Sequence, residues 1–299
     1  IGRPTGDIDM EVGGIDDEFI SAAIQPLGPA HRVGKAFPVL KITVDGMAID
    51  IAQPRRDSRP RESRRVEPHL GINESAARRD LRINAMALDP LDGTFADPFD
   101  GRSDISTRRL RAVDSLRFLD DPLRVFRVAR FAGQLNFRTD PALAELCRDA
   151  DLSSIAPERM GHEMVRLLDS EHVQHGMITG CEIGLWRQIF PEVPLHIESP
   201  EIRAFGRLPD VSTYLASSTR TVAVGLGVLL HRTKEEHREG ILDRWNIHRR
   251  EGLNLRRIIA NGIENARLLG QDCEPSALRS IAESSELGVA LSIAHCLEP

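Results

Sequence analysis

Gly6-Asp7-Ile8-Asp9-Met10-Glu11-Val12 decides how this chain is read. It follows a turn-forming stretch, Gly2-Arg3-Pro4-Thr5, and it alternates polar and apolar residues as a strand does. On a strand, residues i and i+2 point to one face, so Asp7 and Asp9 can reach the same point in space. Ile8 and Met10 are expected to face the other way, into a core. Hard cations such as Mg²⁺ take oxygen ligands, commonly one or two carboxylates completed by substrate phosphates. Asp7 and Asp9 are therefore the candidate metal ligands and catalytic acids. The bland alternative is a solvated strand end.

Working outward, Asp16 to Ile24 reads as a short helix, and residues 34–44 as a strand. Asp45-Gly46 is a hairpin dipeptide. Residues 47–52 return as a second strand that carries Asp50. A sheet could bring Asp50 beside Asp7 and Asp9 as a third catalytic carboxylate. Residues 53–76 are rich in Arg, Pro and Glu and poor in apolar side chains, which predicts a flexible loop. Its arginines, Arg55, Arg56, Arg59, Arg61, Arg64 and Arg65, could contact phosphate or simply be solvated.

The chain has 299 residues, 41% of them hydrophobic, with a formal net charge of -6. That suits a globular protein and is not the overall footprint of a general nucleic-acid binder. Charge is unevenly spread. Residues 51–130 hold 17 Arg against 13 Asp and Glu, a local balance of 17 - 13 = +4. Lysine occurs only at 35, 41 and 234, so the basic groups are nearly all planar guanidinium forks suited to phosphates and base edges. Cys147, Cys181, Cys273 and Cys296 are scattered without a Cys-x-x-Cys pair, which speaks against a zinc site or disulfide framework and for a reducing compartment. The apolar run at 222–230 contains two glycines and is too short to span a bilayer. No signal peptide is visible, and the chain starts so close to its acid pair that residues preceding Ile1 are expected to be missing.

Five motifs follow one another in order: Asp7-x-Asp9; Arg78-Arg79-Asp80-x-x-x-Asn84-Ala85; Asp97-Pro98 with Asp100-Gly101; Asp121-x-x-Arg124-x-x-Arg127-x-x-Arg130; and Pro157-Glu158-Arg159-x-x-x-Glu163. Together they resemble the class II tRNA nucleotidyltransferase and bacterial poly(A) polymerase family, within the polymerase-beta-like nucleotidyltransferases. The resemblance covers roughly the first 190 residues and fades beyond them. It implies an α+β architecture: a small N-terminal nucleotidyltransferase sheet domain, then an all-helical neck, body and tail. The expected divisions are 1–110 for the catalytic head, 111–165 for a neck that recognises the base, and 166–299 for a body and tail that bind RNA.

The resemblance also implies roles. Asp121 and Arg124 would read the incoming base. Cytosine and adenine both offer an exocyclic amine beside a ring-nitrogen acceptor, matched by a carboxylate acceptor and a guanidinium donor. Uracil and guanine reverse the pattern and leave buried groups unpaired, at about 1–3 kcal/mol each. Arg127 and Arg130 would lie near base and triphosphate. Arg79 is the expected triphosphate or ribose contact, with Asn84 on the ribose side. Asp80 is expected to pair with an arginine, Asp100-Gly101 to form a hinge between head and helices, and Glu158, Arg159 and Glu163 to brace the Asp121 helix.

The implied activity is addition of CCA, or part of it, to tRNA 3′ ends from CTP and ATP with Mg²⁺, in the cytoplasm and away from membranes. The competing readings are a poly(A) polymerase on the same scaffold and an inactive RNA-binding relative. The family's Gly-Gly-x-x-Arg-Asp segment ahead of Asp-x-Asp is absent from this sequence. Beyond residue 140 the pattern is helical, including 222–230, 236–245 and 249–269. His231-Arg232 stands where some relatives carry a His-Asp metal pair, and the Arg predicts no metal there. Arg244, Arg249, Arg250, Arg256 and Arg257 are read as a basic helix that could touch RNA or solvent. Oligomeric state is left open by the sequence.

Overall fold

The computed structural model describes residues 6–33, 39–56, 65–67, 69–215, 217–271, 274–284 and 286–298. The turn at residues 2–5, the start of the strand expected at 34–44, Arg59, Arg61, Arg64 and Cys273 lie outside them. The architecture is α+β. The chain divides into two compact units, one of residues 1–107 with 112–114, the other of 108–111 with 115–299.

The first unit is built on β1 (Asp7–Glu11), α1 (Asp17–Ile24), β2 (His31–Val33), β3 (Val39–Val44) and β4 (Met47–Ala52). The sheet order is β1-β4-β3-β2, with β1 parallel to β4 and the other pairs antiparallel. Asp45 and Gly46 both take positive φ, 50° and 81°, which is the tight hairpin turn that this dipeptide favours. Ladder register separates the two faces. Leu40, Ile42, Ile49 and Ile51 share one face, where Ile20 and Ile24 of α1 cover them. Lys41, Thr43, Ala48 and Asp50 share the other, together with Asp7, Asp9 and Glu11.

Ile8 and Met10 fall on the apolar face, opposite Ile49 and Ile51, yet remain 40% and 38% exposed. The expected burial fails because β1 is the edge of the described sheet and the buried residues of α1 pack over β3 and β4.

The described residues of the stretch 53–76 include regular elements that its composition does not suggest. β5 (Arg55–Arg56) pairs with β6 (Arg65–Val66), and α2 (Ile72–Ala76) buries Ser75 and Ala76. Next come a 3-10 turn at Arg82–Asn84, the ribbon of β7 (Ala87–Leu88) with β8 (Phe95–Ala96), and α3 (Gly101–Thr107). The Asp97 carboxylate caps α3, accepting from the amides of Gly101 (2.6 Å) and Arg102 (3.0 Å). A Cβ at Gly101 would stand 2.5 Å from the Arg82 carbonyl oxygen. The expectation of a hinge at Asp100-Gly101 is thereby corrected. This glycine is a close-packing point inside the first unit.

The second unit contains β9 (Arg109–Leu110), α4 (Leu123–Leu135), β10 (Arg138–Thr139), α5 (Pro141–Arg148), α6 (Pro157–Leu168), α7 (Val173–Glu182) and α8 (Leu185–Ile189). It continues with α9 (Pro200–Ala204), α10 (Leu208–Ser212), α11 (Ser218–Leu230), α12 (Glu235–Arg244), β11 (Arg249–Arg250), β12 (Leu253–Asn254), α13 (Leu255–Leu269), α14 (Pro275–Ala282) and α15 (Leu287–Leu297). Helix α4 is a centre of this packing and buries Leu123, Val125, Phe126, Val128, Ala129 and Ala132. It approaches α7 closely, because a Cβ on Gly176 would lie 2.7 Å from the Ala129 carbonyl oxygen. Trp186 meets Phe126 edge to face at 5.6 Å, and Phe190 meets Trp245 at 4.4 Å, extending the core toward α12.

Residues 249–254 are not helical as expected. They form the β11–β12 hairpin, whose turn residues Glu251 and Gly252 both take positive φ. The supposed basic helix is therefore split among α12, this hairpin and α13.

Candidate active site

Each unit holds part of the expected site. In the first unit the site is a face of β1. Asp7 and Asp9 are exposed there, and Glu11 is half-buried. Asp9 sits opposite Asp50 across the parallel ladder. The carboxylate of Asp50 is ion-paired to Lys41, its antiparallel partner on β3. Among the described residues, no three His, Cys, Asp or Glu side chains converge as a metal cluster. Asp7 and Asp9 are thus a two-carboxylate set, and Asp50 stands beside them with one oxygen engaged by Lys41.

The arginines come from the segment after α2. One Glu11 oxygen lies 2.5 Å from a terminal nitrogen of Arg78 and 4.0 Å from one of Arg79. The other accepts the Ser75 hydroxyl. Burial, then neighbouring Arg78, pull the Arg79 guanidinium below its ordinary pKa, while Glu11, Asp9 and Asp80 act in the opposite direction. Through Glu11, 4.0 Å away, Arg79 stands at the acid face of β1.

Buried Asp80 accepts from the Leu81 amide (2.8 Å) and from the Asn84 side-chain amide (3.0 Å). It fixes the turn through these bonds and orients Asn84. Glu11 escaped the sequence reading, although its spacing of i+4 from Asp7 places it on the same face.

In the second unit the candidate base-reading pair lies at the start of α4. Asp121 Oδ1 accepts from the Leu123 amide at 3.3 Å, just ahead of the helix. Arg159 of α6 grips both Asp121 oxygens, at 3.2 and 2.7 Å, in a bidentate fork. Arg124 donates to the carbonyl oxygens of Arg117 (3.0 Å) and Phe118 (3.5 Å). Arg127 is half-buried, 4.0 Å from Glu163 and over the Phe131 ring at 5.4 Å.

Arg130 departs from expectation. It is 4% exposed, ion-paired with Glu163, and stacked 4.0 Å from the Phe131 ring centroid. Burial lowers its pKa and Glu163 opposes the shift. So enclosed, the side chain braces α4 against α6, a role that this packing favours over the expected nucleotide contact. Arg159 and Glu163 make the bracing contacts expected of them, while Glu158 is exposed in the first turn of α6.

Elsewhere, His231 Nδ1 lies 2.9 Å from the Val228 carbonyl oxygen, as a structural histidine does. Arg244 pairs with Glu192, Arg256 with Asp243, and Arg250 with the Ser218 hydroxyl; Arg244, Arg249 and Arg257 are the exposed members of that basic set. No helix among the described residues is long and apolar enough to cross a membrane.

Comparison with known proteins gives the same picture. Residues 1–111 match the Poly A polymerase head domain, and residues 136–195 match the probable RNA and SrmB-binding site of polymerase A. A multifunctional CCA protein of Xanthomonas campestris is 34% identical over 223 residues, 71% of this chain and 52% of that protein. One from Pseudomonas fluorescens is 32% identical over 249 residues, 77% of this chain and 59% of that protein. The chain thus spans about half the length of the curated relatives it matches. In fold it is similar to a Bacillus stearothermophilus CCA-adding enzyme in complex with CTP (TM-score 0.74, 24% identity, 99% of this chain and 69% of that one). It is also similar to a Thermotoga maritima CCA-adding enzyme complexed with tRNA (TM-score 0.69, 21% identity, 99% and 71%). With its motifs in order and both domains matched, the chain belongs to the family of tRNA nucleotidyltransferases and bacterial poly(A) polymerases.

Proposed function

We propose that this chain is a template-independent nucleotidyltransferase that adds CCA, or part of it, to tRNA 3′ ends from CTP and ATP. The observation that carries this reading is the exposed Asp7-Asp9 pair on one face of β1, with Arg79 4.0 Å from Glu11 of the same face. The names of the sequence relatives, multifunctional CCA proteins, support it. So do the similar solved structures, which hold CTP or tRNA.

The donor set fits Mg²⁺. Asp7 and Asp9 are hard oxygen donors on one face, and this ion is commonly held by two carboxylates with substrate phosphates completing the shell. Bound there, the ion would supply positive charge that favours an ionised RNA 3′-hydroxyl and the leaving pyrophosphate. Arg79 binds the triphosphate. Asn84, oriented by Asp80, faces the ribose side. Asp50 acts through the charge it adds beside Asp9, one of its oxygens being held by Lys41. Asp121 accepts from the exocyclic amine of cytosine or adenine while Arg124 donates to the ring nitrogen, and Arg127 supports the same end of the nucleotide. The body and tail bind tRNA. A reaction on tRNA from free CTP and ATP belongs in the cytoplasm.

The test is incorporation on tRNA transcripts ending before CCA, after the first C and after the second C, with Mg²⁺ and CTP, ATP or both. Two cytidines followed by one adenosine support the proposal. A growing adenosine tail would replace it with poly(A) synthesis, and no incorporation would leave an RNA-binding relative.

A further inference from the structure

Glu11 is the acid of β1 to which the proposed chemistry gives no part. It shares a face with Asp7 and Asp9 but differs from them in its contacts. One of its oxygens is taken by buried Ser75 of α2, and the other is shared between Arg78 and Arg79. The two guanidinium groups are adjacent in sequence and repel one another. A carboxylate oxygen between them offsets that repulsion. Arg78, with 12% of its side chain exposed, is the closer and more enclosed partner; Arg79, at 37%, keeps a face toward solvent. The arrangement fixes one arginine to anchor the segment and leaves its neighbour the more accessible of the two, held at the acid face of β1 through Glu11.

We propose that Glu11 is a positioning residue for the triphosphate of the incoming nucleotide: it tethers the 78–79 segment to β1 and thereby aims Arg79. This rests on the reading of Arg79 as the triphosphate contact. Glu11 itself touches no substrate.

Glu11→Gln keeps the shape and removes the charge. The experiment measures equilibrium binding of CTP in Mg²⁺ without RNA, by calorimetry, for the native chain, Glu11→Gln, Arg79→Ala and the double variant, with thermal melting alongside. Glu11→Gln is expected to weaken CTP binding about fivefold to tenfold, a modest change typical of a partly exposed charge acting indirectly. Arg79→Ala is expected to weaken it at least as much. The double variant should bind no worse than Arg79→Ala alone, because a residue acting through another gives non-additive losses. In turnover, KM for CTP rises in Glu11→Gln while kcat stays within about twofold, the pattern of lost ground-state binding.

Native binding in Glu11→Gln, with Arg79→Ala impaired, overturns the inference. Additive losses also overturn it, since Glu11 would then act independently of Arg79. Native binding in Arg79→Ala fails the underlying reading of that arginine, and the Glu11 inference falls with it. Should Glu11→Gln not fold, Glu11→Asp in the same cycle serves instead, because it keeps the charge and shortens the tether. Its coupling to Arg79→Ala is then the deciding quantity.

Discussion

Two rows of charged residues, one on β1 and one on α4, look equally regular in the sequence and fare differently in the structure. The acids Asp7, Asp9 and Glu11 recur every two residues and stay on one face, as the strand period requires. The arginines Arg124, Arg127 and Arg130 recur every three, short of the 3.6-residue turn, so each step drifts about 60° around the helix. Over two steps the stripe passes from surface to core. Arg124 holds backbone carbonyls at the helix start, Arg127 is half-buried, and Arg130 is enclosed against Glu163 and Phe131. A row of identical residues is a row of identical roles only when its period matches that of its element.

The largest expected effect lies at the buried end of the stripe. Arg130→Ala should destabilise the chain by about 3–5 kcal/mol, because it takes from the buried Glu163 carboxylate its close partner and leaves only the more distant Arg127. Urea unfolding followed by tryptophan fluorescence measures this. A loss within experimental error would mean that Arg130 is no brace and would reopen its reading as a nucleotide contact. Asp121→Asn comes next. Turning an acceptor-only carboxylate into an amide should cost discrimination of CTP over UTP by about 1–3 kcal/mol, roughly fivefold to 150-fold, in single-nucleotide kcat/KM. Discrimination at the native level would remove Asp121 from base reading.

The smallest effect belongs to Arg159→Ala. Its fork with Asp121 is substantially solvent-exposed (47% and 28% of the two side chains), and such pairs contribute no more than about 1 kcal/mol to stability. Thermal melting should move little. A drop comparable to that of Arg130→Ala would erase the distinction between the two ends of the stripe.

How much could be read beforehand follows from the range of each interaction. The Asp45-Gly46 turn and the shared face of Asp7 and Asp9 are local, set by residues a few positions apart, and both were legible. The tether from Glu11 to Ser75 and Arg78 spans more than sixty residues, and no local pattern announces it. Gly101 was mistaken for a hinge because tight packing and flexibility leave the same residue in a sequence. The β11–β12 hairpin was missed because its strands are two residues each, too short to interrupt a helical pattern. Burial of Arg130 depended on Glu163 arriving from another helix, although the drift of the three-residue spacing hinted at it.

The account depends most on Asp9. Incubated with Mg²⁺, CTP, ATP and a tRNA transcript ending before CCA, the native chain should extend the RNA by two cytidines and an adenosine. Asp9→Ala, with melting and RNA binding near native, should slow that extension by at least about 10²–10³-fold, the loss expected when a major electrostatic element of a transition state is removed. Extension by Asp9→Ala at the native rate would show that the chemistry does not run on the acid face of β1.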